Sequence, residues 1–211
     1  MTRILPILLF SLLLPATAFA APPLAAPVEG VDYVAIDGGQ PYRPLQGKIE
    51  VVEVFAYWCP HCADFQPVVD AWRHKLPADV RFTFVPMTTE SGDPQGRAYF
   101  AAEALGAVER THAALFRAMH DDGTMPMNPS DGELQSWLVT RGLADAKVKA
   151  AWTSSAMAAN LRHASTFEHM VDIEATPTLV VNGRYRILGA DHAAMLRNVD
   201  ALIAMLRRQR R

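Results

Sequence analysis

Two cysteines, Cys59 and Cys62, lie where an apolar segment meets a helical pattern. Residues 49–58 are mostly apolar and β-branched, which is typical of a strand buried on both faces. The apolar side chains after the motif have the spacing of one helix face: Phe65, Val68, Val69, Trp72 and Leu76. The chain is therefore expected to pass from a buried strand into the first turn of a helix at the two cysteines.

The spacing of the cysteines excludes several roles. A disulfide between them closes too small a loop to restrict the unfolded chain, so it is a poor structural staple. A c-type haem site needs histidine directly after the second cysteine, and Ala63 occupies that position. Structural zinc needs four ligands, whereas the histidines outside the motif are scattered singly, at positions 74, 112, 120, 163, 169 and 192. The pattern indicates a redox-active pair.

The position of the pair in the predicted helix assigns a role to each residue of the motif. Cys59 is expected at the helix N-terminus, where unpaired amides and the helix dipole favour a thiolate, so it is the predicted exposed nucleophile. Cys62, one turn further on, is the predicted resolving thiol. Pro60 suits a first helical turn because it lacks an amide donor. His61 is expected to donate to the Cys59 sulfur or to place positive charge near it.

The rest of the chain predicts an α/β fold. A second strand is expected over residues 80–87, and a helical insertion from about 93 to 170, with a capping box at 130–133. Asn182-Gly183 between apolar runs predicts a hairpin, and Asp191 predicts the start of a last helix. Pro67 is expected to kink the first helix and Pro77 to end it. The sum is a mixed sheet with helices on both faces.

The first 20 residues have the pattern of a signal peptide. Arg3 precedes an apolar run over residues 4–14, and Ala18-Phe19-Ala20 is a small-x-small cleavage site, so the mature chain is expected to be 21–211. A membrane anchor is the alternative, but the run is shorter than the roughly 20 residues needed to span a bilayer. The net charge of −2 gives no electrostatic reason to expect a nucleic-acid partner.

Two segments, VEVFAYWCPHC at 52–62 and TPTLVVNGRY at 176–185, resemble the DsbA family of periplasmic disulfide oxidases. The resemblance implies a thioredoxin-like fold with an inserted helical subdomain and a cis peptide bond at Pro177 opposite the disulfide. It implies that the Thr176 backbone pairs with an extended substrate. It also implies reoxidation by a membrane partner of the DsbB type, a periplasmic location, and no metal or organic cofactor.

Three residues near the motif follow or depart from the family pattern. Thr176 stands where the best-known oxidase has valine, so a hydroxyl is expected near the sulfurs. Glu53 resembles the buried acid beneath the active site, and burial in a strand is expected to raise its pKa and suit it to proton exchange with Cys62. Phe84 stands on the next strand where the family often has lysine, so this acid is expected to lack that partner.

The function expected from these features is donation of the Cys59–Cys62 disulfide to newly exported proteins by a monomeric enzyme. An exported reductase or isomerase of the same fold is the nearest alternative. Isomerases of this group usually add an N-terminal dimerisation domain, and reductases more often have Gly-Pro between their cysteines. A peptide-binding holdase with incidental cysteines and a metal-binding module are more distant alternatives.

Overall fold

The computed structural model describes residues 25–88 and 93–210. Their strands form one five-stranded sheet in the order β1-β5-β4-β2-β3, in which β2 and β3 are parallel and the other pairs antiparallel. The strands are β1 Tyr33–Ala35, β2 Ile49–Phe55, β3 Val80–Pro86, β4 Thr178–Val181 and β5 Tyr185–Ile187. All seven residues of β2 are buried because this strand lies between β3 and β4, which confirms the strand expected before the cysteines.

Five helices separate β3 from β4 in the described residues, where the sequence predicts a helical insertion. The helices are α1 Pro60–Arg73, α2 Pro94–Ala104, α3 Val108–His120, α4 Asp131–Thr140, α5 Asp145–Trp152, α6 Ser155–Met170 and α7 His192–Gln209. Helices α2 to α6 form the inserted subdomain, and they share a core with the apolar side chains of β2 and β3. Helices α1 and α7 pack with a second cluster that also takes side chains from β2, β3, β4 and β5.

Local capping signals place several helix starts correctly. Ser130 accepts a hydrogen bond from the Glu133 amide, and the Glu133 carboxylate accepts one from the Ser130 amide, so the predicted capping box is formed. Asp191 likewise accepts from the Ala194 amide at the start of α7. Strand β1 is not predicted from the sequence, because three residues at the sheet edge give no measurable alternation.

Helix α1 differs from its prediction in its buried face and in its end. Val68 is 40% exposed, because the buried face of the helix runs through Phe65, Gln66 and Val69 instead. Leu76 lies beyond the end of the helix at Arg73, so the helix ends before Pro77 and needs no proline to stop it. Pro67 lies inside the helix, as expected.

The β4–β5 hairpin turns through two residues with positive φ, Asn182 at 52° and Gly183 at 65°. A Cβ at Gly183 would lie 1.8 Å from the carbonyl oxygen of Gln40, so this glycine is required by contact as well as by conformation. The predicted Asn-Gly hairpin is therefore confirmed.

Replacing Gly183 with alanine is expected to lower the free energy of unfolding by about 2 kcal/mol, since the backbone of Gln40 must move away. Gly142→Ala is the matched control, because Gly142 has a φ of 85° with no atom near its Cβ position. Urea unfolding of both variants separates the cost of the contact from that of the φ angle. Equal losses in the two variants would contradict the contact argument.

The signal-peptide prediction concerns residues 1–20, which lie outside the described residues. Over the described part of the chain, no helix combines the length and apolar character that crossing a membrane requires.

Candidate functional site

The two cysteines lie at the N-terminus of α1, where the sequence places them. Cys59 is the N-cap residue and Pro60 follows it in the first helical turn. The amides of Cys62 and Ala63 donate to the Cys59 carbonyl at 3.1 Å, which starts the helix. No acidic side chain lies in the first turn, so nothing there offsets the positive end of the helix dipole.

The two thiols differ in accessibility. Both are unbonded in this structure; Cys59 is 5% exposed and Cys62 is fully buried. Cys59 is thus less exposed than the sequence suggests, but it is still the thiol that a substrate can reach. Its Sγ–H donates to the carbonyl oxygen of Thr176 at 3.2 Å.

The loop before β4 faces the two thiols. The peptide bond between Thr176 and Pro177 is cis, as the resemblance implies. The Thr176 carbonyl contacts Cys59, and its side chain hydrogen-bonds to Cys62. One residue of this loop therefore interacts with both cysteines, while the role of its hydroxyl stays a prediction.

Burial dominates the chemistry of Cys62. It raises the pKa of the Cys62 thiol well above its usual range, while hydrogen bonds from the Ala56 backbone and the Thr176 side chain oppose the rise. When Glu53 is ionised, its negative charge raises the same pKa further. Cys62 is therefore a protonated thiol at neutral pH, and its proton must move whenever the disulfide opens or closes.

Glu53 is a fully buried acid on β2, and its charge affects the pKa of Cys62. Neither carboxyl oxygen has a hydrogen-bond partner among the described residues. Burial raises the pKa of Glu53 to about 8, with a smaller rise from Asp70 and a lowering from Arg73. The register places Phe84 opposite Glu53 on β3, as the sequence predicts.

A second buried acid on the same strand, Glu50, has a different environment. It accepts hydrogen bonds from the Arg81 guanidinium at 2.7 Å and from the Arg43 amide. Glu50 is not predicted from the sequence as a site residue, and its carboxylate, paired with Arg81, has a structural role. Of these two strand acids, only Glu53 is left free to exchange a proton.

Two histidines of helix α3 hydrogen-bond to Tyr57, which lies two positions before Cys59. The Tyr57 hydroxyl shares a hydrogen bond of 2.9 Å with His112 Nδ1, and His120 Nε2 donates to the Tyr57 carbonyl at 2.7 Å. Burial lowers the pKa of His112 to about 3, so its ring is neutral. In the sequence these two histidines look scattered; their spacing of eight, close to two helical turns, is the signal that could have paired them.

Two other residues of the motif region face solvent. Trp58 is 51% exposed and His61 is exposed, and within the described ranges no hydrogen bond joins the His61 ring to the Cys59 sulfur. The role of His61 therefore stays a prediction. Among residues 25–88 and 93–210, no three His, Cys, Asp or Glu side chains come together as a metal site.

Several large apolar side chains of the helical subdomain are core residues. Phe100, Leu115, Phe116 and Met125 are at most 5% exposed and fill the core shared with the helical subdomain. Met127 is 44% exposed.

A buried and a reachable thiol at one helix end, facing a backbone carbonyl, are suited to exchanging a disulfide with other thiols. The mixed sheet with its inserted helices carries this site, and residues 45–201 match the family model described as thioredoxin. The chain is therefore a thiol:disulfide oxidoreductase with a thioredoxin-like fold.

Within that fold the chain belongs to the DsbA family. It is 33% identical to the thiol:disulfide interchange protein DsbA of Bordetella pertussis, over 94% of this chain and 98% of that protein. It is 32% identical to DsbA of Burkholderia cepacia, over 88% and 87% of the two chains. Among solved structures, the oxidoreductase DsbA from Xylella fastidiosa matches with a TM-score of 0.83 and 40% identity, over 87% of this chain and 99% of that one.

Proposed function

We propose that the oxidised protein donates its Cys59–Cys62 disulfide to reduced proteins that have been exported. The observation that carries this proposal is the asymmetry of the pair: Cys59 lies at a helix N-terminus against the Thr176 carbonyl, while Cys62 is fully buried behind it. An incoming thiolate can therefore reach one sulfur and not the other, which fixes the order of the steps.

In the first step a substrate thiolate attacks Cys59 Sγ and the Cys59–Cys62 bond breaks. Cys62 leaves as a thiolate and takes a proton from Glu53, whose raised pKa of about 8 keeps it protonated at neutral pH. In the second step another substrate thiolate attacks the substrate sulfur of the mixed disulfide. A substrate disulfide forms, Cys59 leaves as a thiolate, and two electrons have passed from substrate to enzyme.

The substrate chain is proposed to bind along the loop that contains Thr176 and Pro177. Its extended backbone would pair with Thr176 as an added strand, which is how sheets recognise unfolded segments. The exposed Trp58 indole supplies an apolar contact at the same end of the helix. Pro60 and His61, both exposed in the first turn, complete the surface that the substrate meets, and His61 would favour the Cys59 thiolate.

The cellular setting of the proposal follows from the family. The mature enzyme, residues 21–211 after cleavage behind Ala20, would act in the periplasm as a monomer. A membrane partner of the DsbB type would reoxidise it. The cysteine pair is the redox group, and no metal or organic cofactor is needed.

The test mixes oxidised protein with an equal amount of a reduced, unfolded two-cysteine substrate and counts free thiols over time. A disulfide donor removes two substrate thiols for each protein molecule. A holdase would bind the substrate and leave its thiols unchanged. A reductase would show its transfer only in the reverse direction, from reduced protein to an oxidised substrate, and that result would overturn the proposal.

Thr176→Val is expected to make the protein a weaker oxidant. The hydroxyl hydrogen-bonds to Cys62 and favours the reduced pair, so losing it removes about 1 kcal/mol, equivalent to a potential about 20 mV lower. Thr178→Val is the matched control, because the Thr178 hydroxyl donates to the Ala175 carbonyl instead of a sulfur. Glutathione equilibration measures both variants, and an equal shift in the control would contradict the argument.

A further inference from the structure

Helix α1 brings a charged pair up to the buried acid. The Arg73 guanidinium lies over the ring of Phe84, with Cζ 5.3 Å from the ring centroid. Phe84 is the cross-strand neighbour of Glu53. Arg73 therefore packs on the residue next to the buried acid. Arg73 also donates to Asp70, one turn earlier on the helix, at 2.5 Å.

The surroundings hold the positive charge of Arg73 in place. Its side chain is only 15% exposed, and it donates two hydrogen bonds, of 2.9 and 2.7 Å, to Glu109 of α3. A guanidinium does not lose its proton in a protein. Arg73 is therefore a permanent charge that is clamped between α1, the sheet and the inserted subdomain.

Apart from Asp70 and Arg73, the groups around Glu53 carry little charge. Burial is the main cause of its raised pKa, and next come the negative charge of Asp70, which raises it, and the positive charge of Arg73, which lowers it. The cross-strand neighbours on β3 and β4 are apolar. From α3 the ring of His112 is neutral, and from α1 Cys62 is a protonated thiol, because burial shifts the pKa of both.

We propose that Asp70 and Arg73 are positioning residues that set the proton affinity of Glu53 and, through it, the pH at which Cys62 exchanges its proton. The inference rests on the proposed function, in which Glu53 and Cys62 pass a proton between them. The two charges act in opposite senses, since the negative one favours the neutral acid and the positive one favours the carboxylate. A partly buried ion pair thereby changes the proton affinity of an acid inside the core.

Closure of the disulfide from a mixed disulfide between Cys59 and glutathione reports on this proton. Cys62 gives its proton to the Glu53 carboxylate, and its thiolate attacks the Cys59 sulfur. The bond from Cys59 to glutathione breaks, and glutathione leaves as a thiolate that solvent protonates. Cys62 is oxidised and the glutathione sulfur is reduced, so the step balances.

The experiment compares Arg73→Met with Asp70→Asn. The titration of Glu53 is followed in the reduced protein by carbon-13 NMR of its carboxyl group. We expect the titration midpoint to rise in Arg73→Met and to fall in Asp70→Asn, each by about 0.5 to 1 pH unit. Arg73→Lys keeps the charge and should restore the wild-type midpoint. Arg207→Met, which removes another arginine that pairs with an aspartate, should leave it unchanged.

A second readout is the pH profile of disulfide closure from the glutathione mixed disulfide, measured on the same variants. Its inflection should move in the same two directions as the NMR midpoint of Glu53. NMR midpoints that move the same way in Arg73→Met and Asp70→Asn would overturn this inference but not the proposed function. A general loosening of the fold would shift both midpoints in the same direction, whereas the two charges shift them in opposite directions. Opposite NMR shifts with an unmoved closure profile would overturn the proton exchange between Glu53 and Cys62, and the inference with it.

Discussion

Replacing Cys59 with serine is expected to reduce disulfide donation to the uncatalysed rate. A hydroxyl cannot form the disulfide that carries the two electrons, and the buried Cys62 has no route to a substrate. The thiol count on a reduced two-cysteine substrate measures the loss directly. The fold should survive, because the reduced pair has no bond between its sulfurs and serine is close to cysteine in size.

Cys62→Ser is the matched control for this prediction. It retains the reachable sulfur of Cys59 but lacks the thiol that resolves a mixed disulfide. We expect it to trap a covalent complex with an oxidised or glutathione-bearing substrate, which Cys59→Ser should never form. Full turnover in Cys59→Ser would contradict the account and favour a holdase whose cysteines are incidental.

Replacing Glu53 with glutamine is expected to stabilise the protein by about 3 kcal/mol at pH 7. The pKa of Glu53 rises from an ordinary value of 4.5 to about 8 in the folded state. Between these values the native state holds a proton that the unfolded state has lost, so stability falls as pH rises through that window. The gain in the variant should thus vanish near pH 4 and grow up to about pH 8.

Glu50→Gln, on the same strand, is expected to change the stability in the opposite direction. Glu50 is as deeply buried as Glu53, but its carboxylate accepts from Arg81 at 2.7 Å, so neutralising it leaves that guanidinium without its partner. We expect urea unfolding at pH 7 to show a loss of stability for Glu50→Gln and a gain for Glu53→Gln. A loss in both variants would contradict this prediction, because it would mean that Glu53 has a stabilising partner.

Local signals in the sequence predict much of the fold. The run 49–55 is recognised as a buried strand because it is mostly apolar and β-branched, and the Asn182-Gly183 turn because both residues need positive φ. The capping box at Ser130 is equally local. The start of α1 at the two cysteines follows from the change of pattern from strand to helix.

Other features depend on packing between distant segments, which one sequence does not display. The buried face of α1 is the one that packs against the sheet and α7, and Val68 lies outside that face. The contact of Tyr57 with His112 joins residues 55 positions apart through the inserted helices. The packing of Arg73 on Phe84 similarly depends on how α1 lies across β3, so the charges around Glu53 are found only in the structure.

The reduction potential of the Cys59/Cys62 pair tests the central claim most directly. It is measured by equilibration against glutathione buffers, together with the melting temperature of both redox forms. The account predicts a potential well above the value of about −270 mV that is typical of thioredoxin, with the reduced form more stable. A thioredoxin-like potential, with the oxidised form more stable, would contradict disulfide donation and identify an exported reductase instead.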